Sequence, residues 1–301
     1  ITWQAWEQEV CELFWVPMNV LPEIRESSAQ FGETALNGML TDPLPICGVM
    51  GDSQAALFAQ RCYAPGDAKV TLGTGSSVLL NIGDSLRYSQ NGLLTAIGWV
   101  YEGKPTYAFE GIINYAGATI VWLRDQLQLI ESSAETEALA LSVEDNDGVY
   151  LVPAFVGLNA PYWRSDIKAA ILGLSPATTK AHIVRAALES IAYQIKDVLE
   201  LMAGDAGTKL AMVRGDGGAV RNQFLMQFLA DVSGIIARGS ELPELSALGA
   251  VFAGMLGIGI YSSLDELAQI PSAFKDYTPQ MDTNTANQLY AGWQSAVQQI
   301  L

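Results

Sequence analysis

The sequence is poor in the side chains that most often carry nucleophilic or metal chemistry. Its 301 residues include one histidine, His182, and three cysteines, Cys11, Cys47 and Cys62. The cysteines are odd in number and form no C-x-x-C pair, which argues against a zinc site and a disulfide framework. Such cysteine use favours a reducing, cytoplasmic setting. His182 stands at the start of a predicted helix, where a partly exposed first-turn residue is the simplest interpretation.

Positive charge and long apolar runs are also scarce. Lys and Arg number 16 against 32 Asp and Glu, which gives a formal net charge of -16. Nucleic-acid binding usually needs a basic face, so we expect no nucleic-acid partner. No apolar run approaches the roughly 18 to 20 residues that cross a bilayer. Half of the residues are nevertheless apolar, which predicts a soluble globular protein with a substantial core.

Strand-like and helix-like segments alternate along the chain, and this pattern predicts an α/β fold. The predicted strands cover residues 46–50, 70–72, 78–82, 91–100, 106–110, 149–155 and 210–213. The predicted helices cover residues 3–14, 54–60, 113–129, 181–202, 224–232, 246–256 and 264–267, with a C-terminal helix from about residue 284.

Three glycine-bearing turns each follow a predicted strand. They are Gly51-Asp52-Ser53, Gly73-Thr74-Gly75, and Gly215-Asp216-Gly217-Gly218-Ala219 with Asn222 one turn into the next helix. Glycine lets a ligand approach the backbone, and a helix start offers free N–H donors to an anion. The set therefore suggests a phosphate-bearing ligand, although each turn alone can be a plain tight turn. Neither the P-loop motif nor the G-x-G-x-x-G spacing is present.

Three interpretations fit the turn at Asp52 and Ser53: two enzymatic roles and one structural role. Phosphoryl transfer to an alcohol needs a carboxylate to take the hydroxyl proton, and Asp52 at a strand end can be that base. Alternatively, Asp52 caps the following helix. Ser53 could also be a hydrolase nucleophile on a strand-to-helix elbow, but the only histidine available as its base is His182.

Longer stretches resemble the FGGY family of carbohydrate kinases, and glycerol kinases within it. Residues 46–60, Ile-Cys-Gly-Val-Met-Gly-Asp-Ser-Gln-Ala-Ala-Leu-Phe-Ala-Gln, are similar to the family segment that holds the catalytic Asp. Gly73-Thr74-Gly75 resembles its phosphate-contacting turn. Residues 169–189 resemble the second signature pattern of the family, and residues 216–228 resemble its adenosine-binding turn and helix. The likeness runs essentially from end to end.

The resemblance implies an actin-like ATPase domain of the ribonuclease-H-like type, of which this chain would be the C-terminal lobe plus the tail of the N-terminal lobe. Residues 1–60 would end the N-terminal domain, and residues 61–301 would form the nucleotide-binding domain. It implies ATP and Mg²⁺ as cofactors, Asp52 as general base, and Ser53 and Ser77 near the substrate. The implied nucleotide-binding residues are Gly73, Thr74, Gly117, Gly218 and Asn222, and no metal-ligating set is implied within this chain.

Some positions depart from the family pattern. Ser53 and Ser77 stand where glycerol kinases have Gln and Phe, Val121 replaces a Gln near the nucleotide, and Arg164 replaces an Asp. The two serines leave more room and more hydroxyls, so we expect a polyol or sugar larger than glycerol, of four or five carbons.

We also expect this chain to be part of a longer polypeptide and to be inactive alone, because the first phosphate loop of the family has no counterpart in it. A non-catalytic sensor of a sugar or nucleotide is the alternative function. The sequence is compatible with a homo-oligomer and does not define the oligomeric state.

Overall fold

The computed structural model describes residues 1 and 4–301, and in them strands and helices alternate around one seven-stranded sheet. The strands are β1 (Gln30–Thr34), β2 (Leu44–Cys47), β3 (Ala68–Leu72), β4 (Ser76–Gly83), β5 (Leu94–Tyr101), β6 (Lys104–Ile113), β7 (Tyr150–Val152), β8 (Ala170–Leu172), β9 (Met212–Asp216), β10 (Ile236–Ser240) and β11 (Phe274–Tyr277). The α-helices are α1 (Gln8–Leu13), α2 (Asp52–Ala59), α3 (Gly117–Asp125), α4 (Glu135–Leu141), α5 (Lys180–Ala206), α6 (Gln223–Ser233), α7 (Leu245–Gly257), α8 (Leu264–Ala268) and α9 (Thr283–Gln298).

The sheet is mixed, with strand order β11-β10-β9-β3-β4-β6-β5. Strands β3, β9 and β10 are parallel neighbours, and the other pairs are antiparallel. The parallel pairs need long crossovers, and α5 and α6 lie within those crossovers. β1 pairs with β2, and β7 with β8, in two small separate sheets.

The central sheet is covered on both faces because its side chains alternate between two cores. Val70, Leu72 and Phe109 pack on one face with residues of α5, such as Ile191. On the other face, Leu79, Trp99 and Ala108 pack with Leu57 and Phe58 of α2 and with Phe252 of α7. Helices α2 and α7 approach closely, since a Cβ added at Gly249 would lie 1.9 Å from the Ala55 carbonyl oxygen.

Asp197 joins α5 to the C-terminal helix. Its carboxylate accepts hydrogen bonds from Tyr290 Oη (2.6 Å), Trp293 Nε1 (2.9 Å) and Tyr162 Oη (2.9 Å). Burial raises the pKa of Asp197 to about 6, although these three donors favour the ionised form. The titratable carboxylate of Asp197 therefore links α9 and the loop around Tyr162 to α5.

The predicted α/β class is correct, and most predicted elements are found with shifted ends. The helix predicted for 181–202 is α5, which begins with a capping box of Thr179 and His182 and ends before Gly207 at φ 62°. The helix predicted for 113–129 was wrong at its start, because β6 continues to Ile113 and α3 begins at Gly117. The helix predicted from residue 3 is α1, shorter at both ends, and Trp3 lies outside the described residues.

Five elements were not predicted: β1, β8, β10, β11 and α4. Each has at most seven residues, which is too short for a periodicity to stand out. None of the helices in the described part of the chain has the length and apolarity that a membrane crossing requires.

Candidate functional site

A cavity of about 830 Å³ brings together all five residues that the sequence predicted at a nucleotide. They are Gly73, Thr74, Gly117, Gly218 and Asn222. Its remaining wall is largely apolar, with Ile120, Leu141, Leu188 and Ile191 among the lining side chains. A cavity of this size and mixed lining suits a ligand of nucleotide dimensions.

The turn after β3 is fixed against the start of α3. Gly73 O accepts from Gly117 N (3.0 Å), and Thr74 O accepts from Ala116 N (3.1 Å) and Ala118 N (2.9 Å). A Cβ added at Gly117 would lie 2.6 Å from Gly73 O, so only glycine permits this approach. The sequence motif therefore corresponds to a real backbone junction at the cavity edge.

The second glycine turn follows β9, the parallel neighbour of β3, and borders the same cavity. Gly217 has φ 89°, and a Cβ there would meet Leu72 O at 2.5 Å, so this glycine seals the turn against β3. Gly218 is exposed and its added Cβ would meet nothing within 4 Å, so its backbone faces open space at the cavity. The two glycines thus differ: Gly217 packs against β3, and Gly218 borders open space.

Asn222 has its side chain committed to protein contacts. Its Oδ1 accepts from Leu225 N (2.9 Å) and caps α6, and its Nδ2 donates to Thr136 Oγ1 (3.1 Å) in α4. The residue lines the cavity while joining two of its walls. Direct contact with a nucleotide stays a prediction for Asn222.

Helix α4 is a cavity wall that the sequence did not reveal. It contributes Thr136, Glu137 and Leu141 to the lining. Glu137 Oε2 accepts from the Gln223 N–H (2.6 Å), which joins the wall to the start of α6. Acidic residues at the first turn followed by Ala and Leu were the available signal, because they favour a helix start and a helix.

Arg185 of α5 holds the other end of this wall. Its Nη1 donates to three carbonyl oxygens at and after the end of α4: Val143 O (2.8 Å), Glu144 O (2.9 Å) and Ala140 O (3.3 Å). Its Nε donates to Glu189 Oε1 (2.8 Å). Burial raises the pKa of Glu189 to about 7, although the guanidinium opposes the rise.

Asp52 is exposed at the first position of α2, and its Oδ1 accepts from the adjacent Ser53 N–H (2.7 Å). The N-cap position belongs to Gly51, and no side-chain cap bond is made there. Asp52 therefore does not make the usual capping bond, and its carboxylate faces solvent at the positive end of the helix.

Ser53 and Ser77 are brought together as neighbours. Ser53 Oγ lies 3.3 Å from Ser77 Oγ, and Ser77 Oγ lies 2.9 Å from Glu110 Oε1. His182 is not part of this group, because its Nδ1 accepts from the Thr179 N–H (3.0 Å) in the capping box of α5. The hydrolase interpretation thus finds no imidazole bonded to Ser53.

Buried charges lie on the sheet face below α2. Lys69 is fully buried, and its Nζ donates to Thr71 Oγ1 (2.8 Å). Burial lowers the pKa of Lys69, while Asp216, Glu110 and Asp52 oppose the fall. Burial also raises the pKa of Asp216. Sequence reasoning missed Lys69 and Glu110 as site residues; their signal was a charged residue within an apolar strand.

The cavity and the start of α2 meet at the β3–β4 hairpin. Leu72 and Gly73 line the cavity, while Ser77 contacts Ser53 on the other face of the sheet. Ser77 is the strand partner of Thr71, so only the turn separates the two groups along the chain. Among the described residues, no group of three or more His, Cys, Asp and Glu could hold a metal ion.

Comparison with known proteins agrees with this geometry. The model of the FGGY family of carbohydrate kinases, C-terminal domain, matches residues 68–258. Glycerol kinase 1 of Thermotoga maritima is 49% identical over 296 residues, which are 98% of this chain and 60% of that protein. The chain belongs to the FGGY family of carbohydrate kinases.

Solved structures give the same fold. The crystal structure of Plasmodium falciparum glycerol kinase with ADP matches with a TM-score of 0.91 and 35% identity, over 99% of this chain and 60% of that one. A ligand-bound xylulose kinase from Lactobacillus acidophilus matches over 97% of this chain and 60% of that one, with a TM-score of 0.83 and 17% identity, and this supports the fold alone. The predicted actin-like ATPase fold is confirmed. The chain spans about 60% of the length of the curated relatives that it matches.

Proposed function

We propose that the protein containing this chain transfers the γ-phosphoryl group of ATP to a hydroxyl group of a polyol or sugar, with Asp52 as general base. One observation carries the proposal: the five glycine-turn and cap residues line one cavity, and the β3–β4 hairpin that supplies Gly73 to it also supplies Ser77, which contacts the residue after Asp52. The relatives named above are glycerol kinases, and one of them was solved with ADP.

The chemistry follows from what each group offers. Asp52 accepts the proton that the acceptor hydroxyl loses as it attacks the terminal phosphorus. Its exposure at the start of α2 leaves it accessible to a substrate. The glycine turns let ATP phosphates approach the backbone closely. The nucleotide is then held by shape and main-chain groups rather than by net positive charge.

The donor set of this chain fits a magnesium ion that arrives with ATP. Mg²⁺ in kinases is usually bound by phosphate oxygens, water and one or two carboxylates. The described residues offer no group of three or more His, Cys, Asp and Glu that could hold a metal ion, and we assign Asp52 the role of base rather than of metal ligand. When bound with ATP, Mg²⁺ would offset the charge on the phosphates.

The acceptor is proposed to be larger than glycerol, with four or five carbons. Ser53 and Ser77 lie 3.3 Å apart where glycerol kinases carry an amide and an aromatic ring. Two small hydroxyl side chains leave room for additional carbons and can bind their hydroxyls. Both serines are half-buried rather than sealed in the core, so a ligand can reach them.

We further propose that residues 1–60 are the end of the N-terminal domain of the family and that residues 61–301 are the nucleotide-binding domain. Activity would then require residues that the relatives have and this chain lacks, so the 301-residue chain alone would be inactive. All three cysteines are unpaired, which favours a cytoplasmic location.

The test is ADP formation by the full-length protein with ATP and a series of polyols and ketoses of three to five carbons. We expect turnover, with a four- or five-carbon acceptor preferred over glycerol. A preference for glycerol would contradict the acceptor size only. Nucleotide binding without turnover on any acceptor would favour the non-catalytic sensor and overturn the kinase proposal.

A further inference from the structure

Three side chains form a hydrogen-bonded chain that begins at Ser53, at the start of α2, and runs through Ser77 of β4 to Glu110 of β6. We infer that Glu110 is a specificity-determining residue: it fixes the direction of this chain, so that Ser53 accepts a hydrogen bond from a second hydroxyl of the acceptor. The inference rests on the proposed function and deepens it, since it selects a polyol over a ketose.

The direction of the chain follows from the donors and acceptors available. Ser77 donates its single hydroxyl proton to Glu110 Oε1 at 2.9 Å. Ser77 Oγ then has only lone pairs left for its other neighbour. Ser53 donates its own proton to Ser77 at 3.3 Å. Ser53 Oγ is left with lone pairs for a ligand.

Glu110 shares its face of the sheet with a buried lysine. Strand register sets Glu110 of β6 opposite Leu79 of β4, and Leu79 opposite Lys69 of β3, so all three side chains lie on the same sheet face. Lys69 is fully buried, and its ammonium group interacts with the Glu110 carboxylate.

This arrangement defines the group that the site accepts. Asp52 and Ser53 are consecutive at the start of α2, and both present acceptors only. A hydroxyl can donate to Ser53, whereas the carbonyl oxygen of a ketose cannot. A carbonyl placed there would leave two acceptors facing each other. From the usual cost of an unmatched polar group, we expect roughly a 10- to 100-fold preference in kcat/KM for a polyol over the matching ketose.

The experiment compares kcat/KM of the full-length protein for two matched pairs, glycerol with dihydroxyacetone and erythritol with erythrulose. Glu110→Gln can donate through its amide and so reverse the chain, and Ser77→Ala interrupts it. We expect both variants to lower the polyol-to-ketose ratio at least fivefold, mainly by improving the ketose. The control Glu102→Gln changes an exposed glutamate in the turn before β6 and should leave the ratio unchanged.

The outcomes separate this inference from the proposed function. Equal use of polyol and ketose by the wild type, or an unchanged ratio in the variants, overturns the role of Glu110 while leaving the kinase intact. No turnover on either pair or on longer acceptors overturns both. If Glu110→Gln does not fold, the comparison of Ser77→Ala with the wild type tests the inference, because removing one hydroxyl leaves Glu110 and Lys69 in place.

Discussion

The junction between the β3–β4 turn and α3 can be tested by adding one methyl group, in Gly117→Ala. The new Cβ would lie 2.6 Å from Gly73 O and 3.4 Å from Gly73 C. Both are backbone atoms, so no side chain can rotate away and the turn itself must move. Overpacking of this kind costs about 1 to 3 kcal/mol, and the helix preference of Ala over Gly returns up to about 1 kcal/mol.

The expected result is a modest loss of stability with a larger loss of nucleotide binding. The free energy of unfolding should fall by about 0 to 2 kcal/mol, because the turn can relax into the cavity. A bound nucleotide would prevent that relaxation, so Kd for a non-hydrolysable ATP analogue should rise roughly 10- to 100-fold. Urea unfolding and calorimetric titration of the full-length protein measure the two quantities separately.

Two matched glycine variants serve as controls. Gly204→Ala lies at an exposed position near the end of α5, where an added Cβ meets nothing within 4 Å, so it should stabilise by about 1 kcal/mol and leave Kd unchanged. Gly218→Ala also meets nothing, but it lines the cavity, so it should raise Kd without lowering stability. If Gly117→Ala binds the analogue as the wild type does, the turn does not contact the nucleotide and our reasoning about the cavity is wrong.

Three further predictions concern other groups. A fluorophosphonate probe should leave Ser53 unlabelled, because Ser53 Oγ forms a hydrogen bond with Ser77 and none with an imidazole. Labelling of Ser53, detected by mass spectrometry, would support the hydrolase interpretation instead. Burial raises the pKa of Asp197 from 3.8 to about 6, so the folded protein favours the protonated carboxyl group. This group therefore adds about 3 kcal/mol to the free energy of unfolding below about pH 4, and the contribution is lost as the pH rises through 6. Urea unfolding from pH 4 to 8 should show a loss that is smaller by this amount in Asp197→Asn than in the wild type, since Glu189 contributes its own slope to both. Arg185→Met should destabilise by about 3 to 5 kcal/mol, since it removes the cation that pairs with buried Glu189, and should weaken nucleotide binding by releasing α4. Arg124→Ala, which breaks a surface pair, should leave the thermal midpoint unchanged.

The five residues that line the cavity could be predicted because their signals are local. Gly73, Gly117 and Gly218 are glycines at turns, and the backbone contacts at Gly117 explain why the residue type is required there. The residue pattern around Asn222 also belongs to one strand-turn-helix unit. Motifs of this kind are contiguous in sequence, so their order and spacing are enough to find them.

The acceptor side could be predicted only in part. Ser53, Ser77 and Glu110 come from α2, β4 and β6, and their contact depends on strand register across the sheet. Register between distant strands is not encoded in a local pattern, so Glu110 was missed. Helix α4 was missed for a related reason: it is short, and its position depends on Arg185 of a distant helix.

The central claim is that one carboxylate accepts the proton of the attacking hydroxyl, and the most direct measurement is kcat of Asp52→Asn in the full-length protein. The carboxamide keeps the size of the side chain and removes its basicity. We predict a loss of about 10²- to 10⁴-fold in kcat at saturating ATP and polyol, with Kd for the ATP analogue unchanged. An undiminished kcat would contradict the assignment of Asp52 as the general base.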